Sequence, residues 1–155
     1  FMTALFFALI GMIYGRTHTR DITKLGGLLK VIPFISVVYV IAGMALLGLP
    51  GFSGFVAEMN IFMGAFQQDS MFYRVATIIS ISAIVVTAVY VLRVVGIMLM
   101  GPVKNEAYNQ LEATTWYEKT GIALLLIPIV GIGVAPLWIS NMIMESLQPF
   151  IQGVL

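Results

Sequence analysis

Apolar residues in this chain come in long unbroken stretches separated by short polar links. They do not alternate along one face, as they would in a soluble helix or strand. The stretches cover residues 1–14, 31–49, 52–66, 71–100 and about 120–139. Between them lie a polar link at 15–30, a short turn at 67–70 and a second polar link at 101–119. About 20 apolar residues cross a hydrocarbon core of roughly 30 Å as a helix. The 71–100 stretch is long enough to cross with tilt. The 120–139 stretch is also long enough, with Pro128 expected to bend it and Gly131 and Gly133 expected to allow close packing. The 1–14 stretch is shorter than a crossing, and the chain starts at Phe1 already inside it. It reads as the tail of a span, and the whole of 1–155 as the C-terminal part of one longer membrane domain. Residues 140–155 alternate apolar and polar groups, which predicts a helix lying along the membrane surface. The pattern predicts an all-α, polytopic transmembrane helix bundle.

One interruption in the apolar pattern is chemically different from the links. Gly48-Leu49-Pro50-Gly51-Phe52-Ser53-Gly54 places three Gly and one Pro within seven residues, a sequence that cannot hold a straight helix. A single helix over 31–66 would be about 54 Å long, far beyond a hydrocarbon core. The helix is therefore expected to be broken at Gly48, Pro50, Gly51 and Gly54. Inside a membrane, the backbone groups freed by such a break survive only when buried in protein or bathed by water. Transporters place ion sites at such interruptions.

Composition narrows the reading. Sixty per cent of residues are apolar and ten per cent charged, against about 25% charged in soluble domains. The mean hydropathy is +1.02. The net charge of +1 and the lack of a basic patch with interleaved aromatics give no case for nucleic acid. Without Cys, disulfides and thiolate-held metals are excluded within the chain. The ten Met read as core filler. Tyr14, Tyr73, Trp116, Tyr117 and Trp138 fall near span ends, as an aromatic belt would. The first link carries four basic residues against one acidic, which favours the cytoplasmic side, whereas the second carries two against three. Orientation stays open on this evidence.

Glu58 is the candidate for chemistry. At helical spacing its neighbours are Gly54, Phe55, Ile61, Phe62 and Ala65, none of which pairs with a carboxylate. A charged carboxylate facing lipid is costly, so such a group is protonated, hydrated or partnered by another helix. Burial disfavours the charged form of a carboxyl and a nearby cation favours it; a carboxyl balanced between the two takes up and releases protons. The plainer alternative is a solvated carboxylate at a span end. Supporting candidates are a polar stripe of Tyr73, Thr77, Ser80, Thr87 and Tyr90, which falls within an arc of about 140° on a helix. The stripe could hold water or make ordinary interhelical hydrogen bonds. Arg93 is either a charge partner or a snorkelling side chain. His18 is the single histidine, a residue type suited to proton transfer, although a structural role in the first link explains it equally. No metal-ligand spacing, phosphate loop or nucleotide fingerprint occurs.

The ordered motifs Tyr14-Gly15-Arg16-Thr17-His18-Thr19-Arg20-Asp21, Gly26-Gly27, Pro33 and Gly48 through Glu58 carry a resemblance. The chain resembles the C-terminal part of the antiporter-like subunits of proton-pumping NADH:quinone oxidoreductase, respiratory complex I. The resemblance is to the M type, called chain 4 in mitochondria. It spans the whole chain, with specific motifs in 11–66 and span pattern alone beyond residue 70. It implies inverted repeats with broken helices, and a row of buried ionisable residues at mid-membrane. It also implies that Glu58 is the proton relay, because Gly54-Phe55-Val56-Ala57-Glu58 matches the M-type Gly-Phe-x-x-Glu, where the other types usually have lysine. Gly15 departs from the family's frequent glutamate, and the first repeat's lysines and glutamate are absent from this chain. The implied enzyme is the oxidoreductase as a complex, with no redox site here. NADH, FMN, iron–sulfur clusters and quinone are expected in partner chains. The implied partners are the other membrane subunits, the bilayer and protons, and the implied location is the bacterial inner membrane. Cation/proton antiporter subunits, membrane hydrogenase subunits and a structural scaffold are the competing readings.

Overall fold

A computed structural model describes residues 1–152, and side chains to residue 147. All regular elements among the described residues are helical. They are α1 (Met2–Thr17), α2 (Leu28–Val31), α3 (Pro33–Leu46), α4 (Ser53–Phe66), α5 (Met71–Leu99), α6 (Trp116–Val134) and α7 (Pro136–Gln152), with a 3-10 turn at Glu106–Gln110. The all-α bundle expected from the apolar pattern is present. α5 and α6 are long and apolar enough to cross a membrane.

Two prolines set helix boundaries inside apolar sequence. Ile32 and Ala135, each preceding a proline, share φ −126 with ψ 67 and 68, because the proline ring clashes with an α conformation in the residue before it. Pro33 then opens α3 and Pro136 opens α7, positions where a missing N–H is harmless. The apolar stretch at 31–49 is thus split after Val31, and that at 120–139 after Val134. Pro128, by contrast, is carried within α6.

The core is one cluster. Leu5, Leu9 and Ile13 of α1, four residues apart on one face, meet Ile35, Tyr39 and Ala42 of α3, with Val95 and Leu99 of α5 and Ile122 and Ile129 of α6. Outside it, large apolar side chains stand exposed, such as Ile79 at 65% and Val86 at 67% on α5. A surface of that kind fits lipid or neighbouring helices, not water.

The two polar links meet at one end of the bundle. The N–H of Gly27 donates to the Met100 carbonyl at 3.1 Å, and Lys104 Nζ donates to the Thr23 carbonyl at 2.6 Å. Asp21 Oδ1 accepts from the Thr23 N–H and hydroxyl at 2.9 and 2.6 Å; these bonds hold its carboxyl below the usual carboxylate range. Arg16 joins the links most firmly. Its Nη2 and Nη1 meet Glu118 Oε2 and Oε1 at 2.7 and 3.0 Å. Its remaining N–H groups go to the carbonyls of Glu112, Met12 and Ala113. Glu118 Oε2 also accepts from the Thr115 N–H, closing a capping box that starts α6.

α3 and α4 together match α5 in length. Fourteen residues each give α3 and α4 about 21 Å, against about 43 Å for the 29 residues of α5. The short 67–70 turn sends α5 back past α4 and then α3, with Gly43 of α3 facing Val91 of α5. The break at 47–52 therefore sits partway along the bundle.

Candidate functional site: a carboxyl at a broken helix

The local sequence builds the break in two steps. Gly48 follows the last turn of α3 with φ +63; its N–H donates to the Ala45 carbonyl, and that of Leu49 to the Met44 carbonyl. That pair of bonds is a Schellman stop, which needs a left-handed residue and so favours glycine. Next, Leu49-Pro50-Gly51-Phe52 forms a turn closed by the Phe52 N–H to the Leu49 carbonyl at 3.3 Å, with Gly51 at φ +98. Proline second and positive-φ glycine third define a type II turn. α4 restarts at Ser53 without a side-chain cap. Its first turn lies against the last turn of α3: a β-carbon at Gly54 would come within 2.8 Å of the Ala45 carbonyl oxygen.

Glu58 lies one turn into α4 and is half-buried. Side chains on a helix lean toward its N-terminus, and this lean carries the carboxyl back over the break. A β-carbon built on Gly48 would stand 2.8 Å from Glu58 Cδ, with Oε2 nearer still. The missing side chain of Gly48 is the space the carboxyl occupies. The group lies between the C-terminal end of α3, partially negative, and the N-terminal end of α4, partially positive. Among the described residues it has no ion pair and no direct hydrogen bond. Beyond its first turn α4 is largely uncovered, with Ile61, Met63 and Phe66 exposed.

The other sequence candidates make no direct bond to this carboxyl among the described residues. Gly48, Pro50, Gly51 and Gly54 do come together with it. His18 caps the far end of α1 with φ 51, edge-on to Tyr14. Met2, at the near end, packs beside Gly54, which puts His18 about 24 Å away along α1. Thr77, Ser80 and Thr87 each donate to a carbonyl four residues back in α5. Tyr90 and Arg93 are exposed, with Arg93 toward the link end. No hydrogen bond or ion pair joins any of these residues to Glu58 among the described residues. Cavities of about 480 and 430 Å³ lie along α1, the first bordered by Arg20 and Tyr39 and the second by Arg16 and Glu118; Glu58 lines neither.

A sequence profile described as "NADH:quinone oxidoreductase/Mrp antiporter, TM" matches residues 1–87, more than half of the chain and the part that contains the break and Glu58. The chain belongs to this membrane family. It is an integral membrane protein of that family, and its relatives bear familiar names. A chain 4 of NAD(P)H-quinone oxidoreductase from Acaryochloris marina is 36% identical over 135 residues, covering 84% of this chain and 25% of the relative. A subunit M of NADH-quinone oxidoreductase from Rhodobacter capsulatus is 31% identical over 153 residues, covering 99% of this chain and 29% of the relative. Among solved structures, respiratory complex I from Thermus thermophilus with bound NADH contains a chain that superposes with TM-score 0.67 at 26% identity. The match covers 83% of this chain and 26% of that one. The chain spans about a quarter of the length of the relatives it matches.

Two features of this family member escaped the sequence reading. Thr115-Trp116-Tyr117-Glu118 has the Thr-x-x-Glu spacing of a capping box and was legible. Its union with Arg16, 102 residues away, had no local signal. The second is the partner of Gly133: of the two glycines expected to allow close packing, Gly133 meets the backbone of the break, whereas a β-carbon at Gly131 meets nothing within 4 Å.

Proposed function

We propose that this chain is part of a proton-translocating membrane subunit of an NADH:quinone oxidoreductase of the M or chain 4 type, with Glu58 as the relay carboxyl. The observation that carries the reading is the Glu58 carboxyl seated over Gly48 at a mid-bundle helix break. The relatives named as subunit M and chain 4 support the assignment to that oxidoreductase. The chain's own part is to hold a proton at Glu58 and pass it on. Thr77, Ser80, Thr87, Tyr90, Arg93 and His18 make no direct bond to Glu58 among the described residues, so the proposal rests on Glu58 and its glycine seat.

The electron chemistry belongs to other chains of the complex. This one has no Cys to ligate iron–sulfur clusters, and NADH, FMN and quinone are assigned to partners. The other membrane subunits and the surrounding lipid are the proposed partners, and the bacterial inner membrane the proposed location. The bacterial origin of the matched relatives supports that location.

The test is Glu58→Gln in the full-length subunit within the assembled complex. NADH oxidation by an artificial acceptor should be retained while proton pumping is lost, and Glu58→Asp should keep part of the pumping because it keeps the carboxyl. Normal pumping in the Gln variant favours a scaffold. Sodium-dependent transport insensitive to NADH favours a cation/proton antiporter.

A further inference from the structure

α6 lies outside the segment matched by the family profile, which ends at residue 87. Its last turn nonetheless reaches the break. A β-carbon at Gly133 would overlap the Gly51 carbonyl and the carbonyl carbon of Phe52. Only a glycine lets the α6 backbone touch the type II turn that separates the two half-helices. α6 stops there because Ala135, held before Pro136, leaves the helical region. Its other end is anchored at the Arg16–Glu118 pair, about 22 Å away at 1.5 Å per residue. α6 is thus a strut with one end on the polar links and the other on the Pro50–Gly51 turn. That turn leads directly into Gly48, the seat of the Glu58 carboxyl.

We propose that Gly133 is a positioning residue for Glu58: the close approach of α6 to the Gly51–Phe52 peptide sets the spacing of α3 and α4, and with it where the carboxyl sits. The inference rests on the relay reading of Glu58. It gives the C-terminal helices a part in that site.

The experiment compares Gly133→Ala with Gly131→Ala in the assembled complex. Gly131 is two residues away on the same helix, where a β-carbon meets nothing within 4 Å. Displacing a reacting group by about 1 Å can slow a step on the order of a hundredfold. Gly133→Ala should lower proton pumping by about tenfold or more and shift its pH profile. NADH oxidation by an artificial acceptor should be unchanged, and Gly131→Ala should behave as wild type. Carbodiimide labelling of Glu58 in membranes, read by mass spectrometry against Glu106, is the second measurement and does not require assembly. A changed Glu58 rate with an unchanged Glu106 rate supports the proposal. Equal labelling and an unshifted pH profile in the two glycine variants overturn it. If Glu58→Gln abolishes pumping while Gly133→Ala leaves it intact, the relay stands and the positioning role falls. If Glu58→Gln pumps normally, the relay itself falls.

Discussion

Gly48 and Gly51 form a matched pair that separates backbone strain from displacement of the carboxyl. Both have positive φ, +63 and +98. An alanine in left-handed backbone costs about 1–2 kcal/mol, so Gly48→Ala and Gly51→Ala should destabilise the subunit by comparable amounts. Their surroundings differ. A β-carbon at Gly51 meets nothing within 4 Å, whereas one at Gly48 stands 2.8 Å from Glu58 Cδ. Carbon atoms in contact settle about 3.5–4.0 Å apart, so the carboxyl must retreat by about 0.7–1.2 Å. It cannot keep its seat, because the Oε2 atom is nearer still. A shift of that size in a proton-transferring group predicts a ten- to hundredfold fall in pumping for Gly48→Ala, on the order expected for a misplaced reacting group. Gly51→Ala should lose only what its reduced stability removes. The assay is proton uptake into vesicles holding the assembled complex, normalised to NADH oxidation by an artificial acceptor. Thermal unfolding of each variant checks that strain is matched. Equal pumping in the two variants at equal stability would refute the claim that Gly48 makes room for Glu58.

Two further outcomes follow from the link end of the bundle. The side chains of Arg16 and Glu118 are only 10% and 17% exposed, so removing one partner strands a poorly hydrated charge at about 3 kcal/mol. A double-mutant cycle of Arg16→Met and Glu118→Gln, read by denaturant unfolding of the full-length subunit, should give a coupling energy of about 2 kcal/mol; a value near zero would mean the pair is merely solvated. His18 holds φ 51 at the end of α1, so His18→Gly should stabilise by about 1 kcal/mol and leave pumping unchanged. A loss of pumping would bring His18 back as a functional residue.

Sequence alone determined the class of this protein, because bilayer burial imposes a local rule: a spanning helix must be apolar along its own length. That rule made the long stretches, the broken helix at Gly48–Gly54 and the isolation of Glu58 legible. Gly and Pro act within a few residues, so the stop at Gly48 and the turn at Pro50–Gly51 were implied by composition. Where the carboxyl goes was not. Its seat on Gly48 depends on the rotation of α4 about its axis and on the space left at the end of α3, which no residue in α4 encodes. Likewise, the polar stripe of α5 had helical spacing, yet its Thr77, Ser80 and Thr87 hydroxyls turn inward to their own backbone. The pairing of Arg16 with Glu118 and the approach of Gly133 to Gly51 join parts of the chain separated by most of its length. Such contacts are chosen by the packing of whole helices, and packing is a property of the assembled bundle.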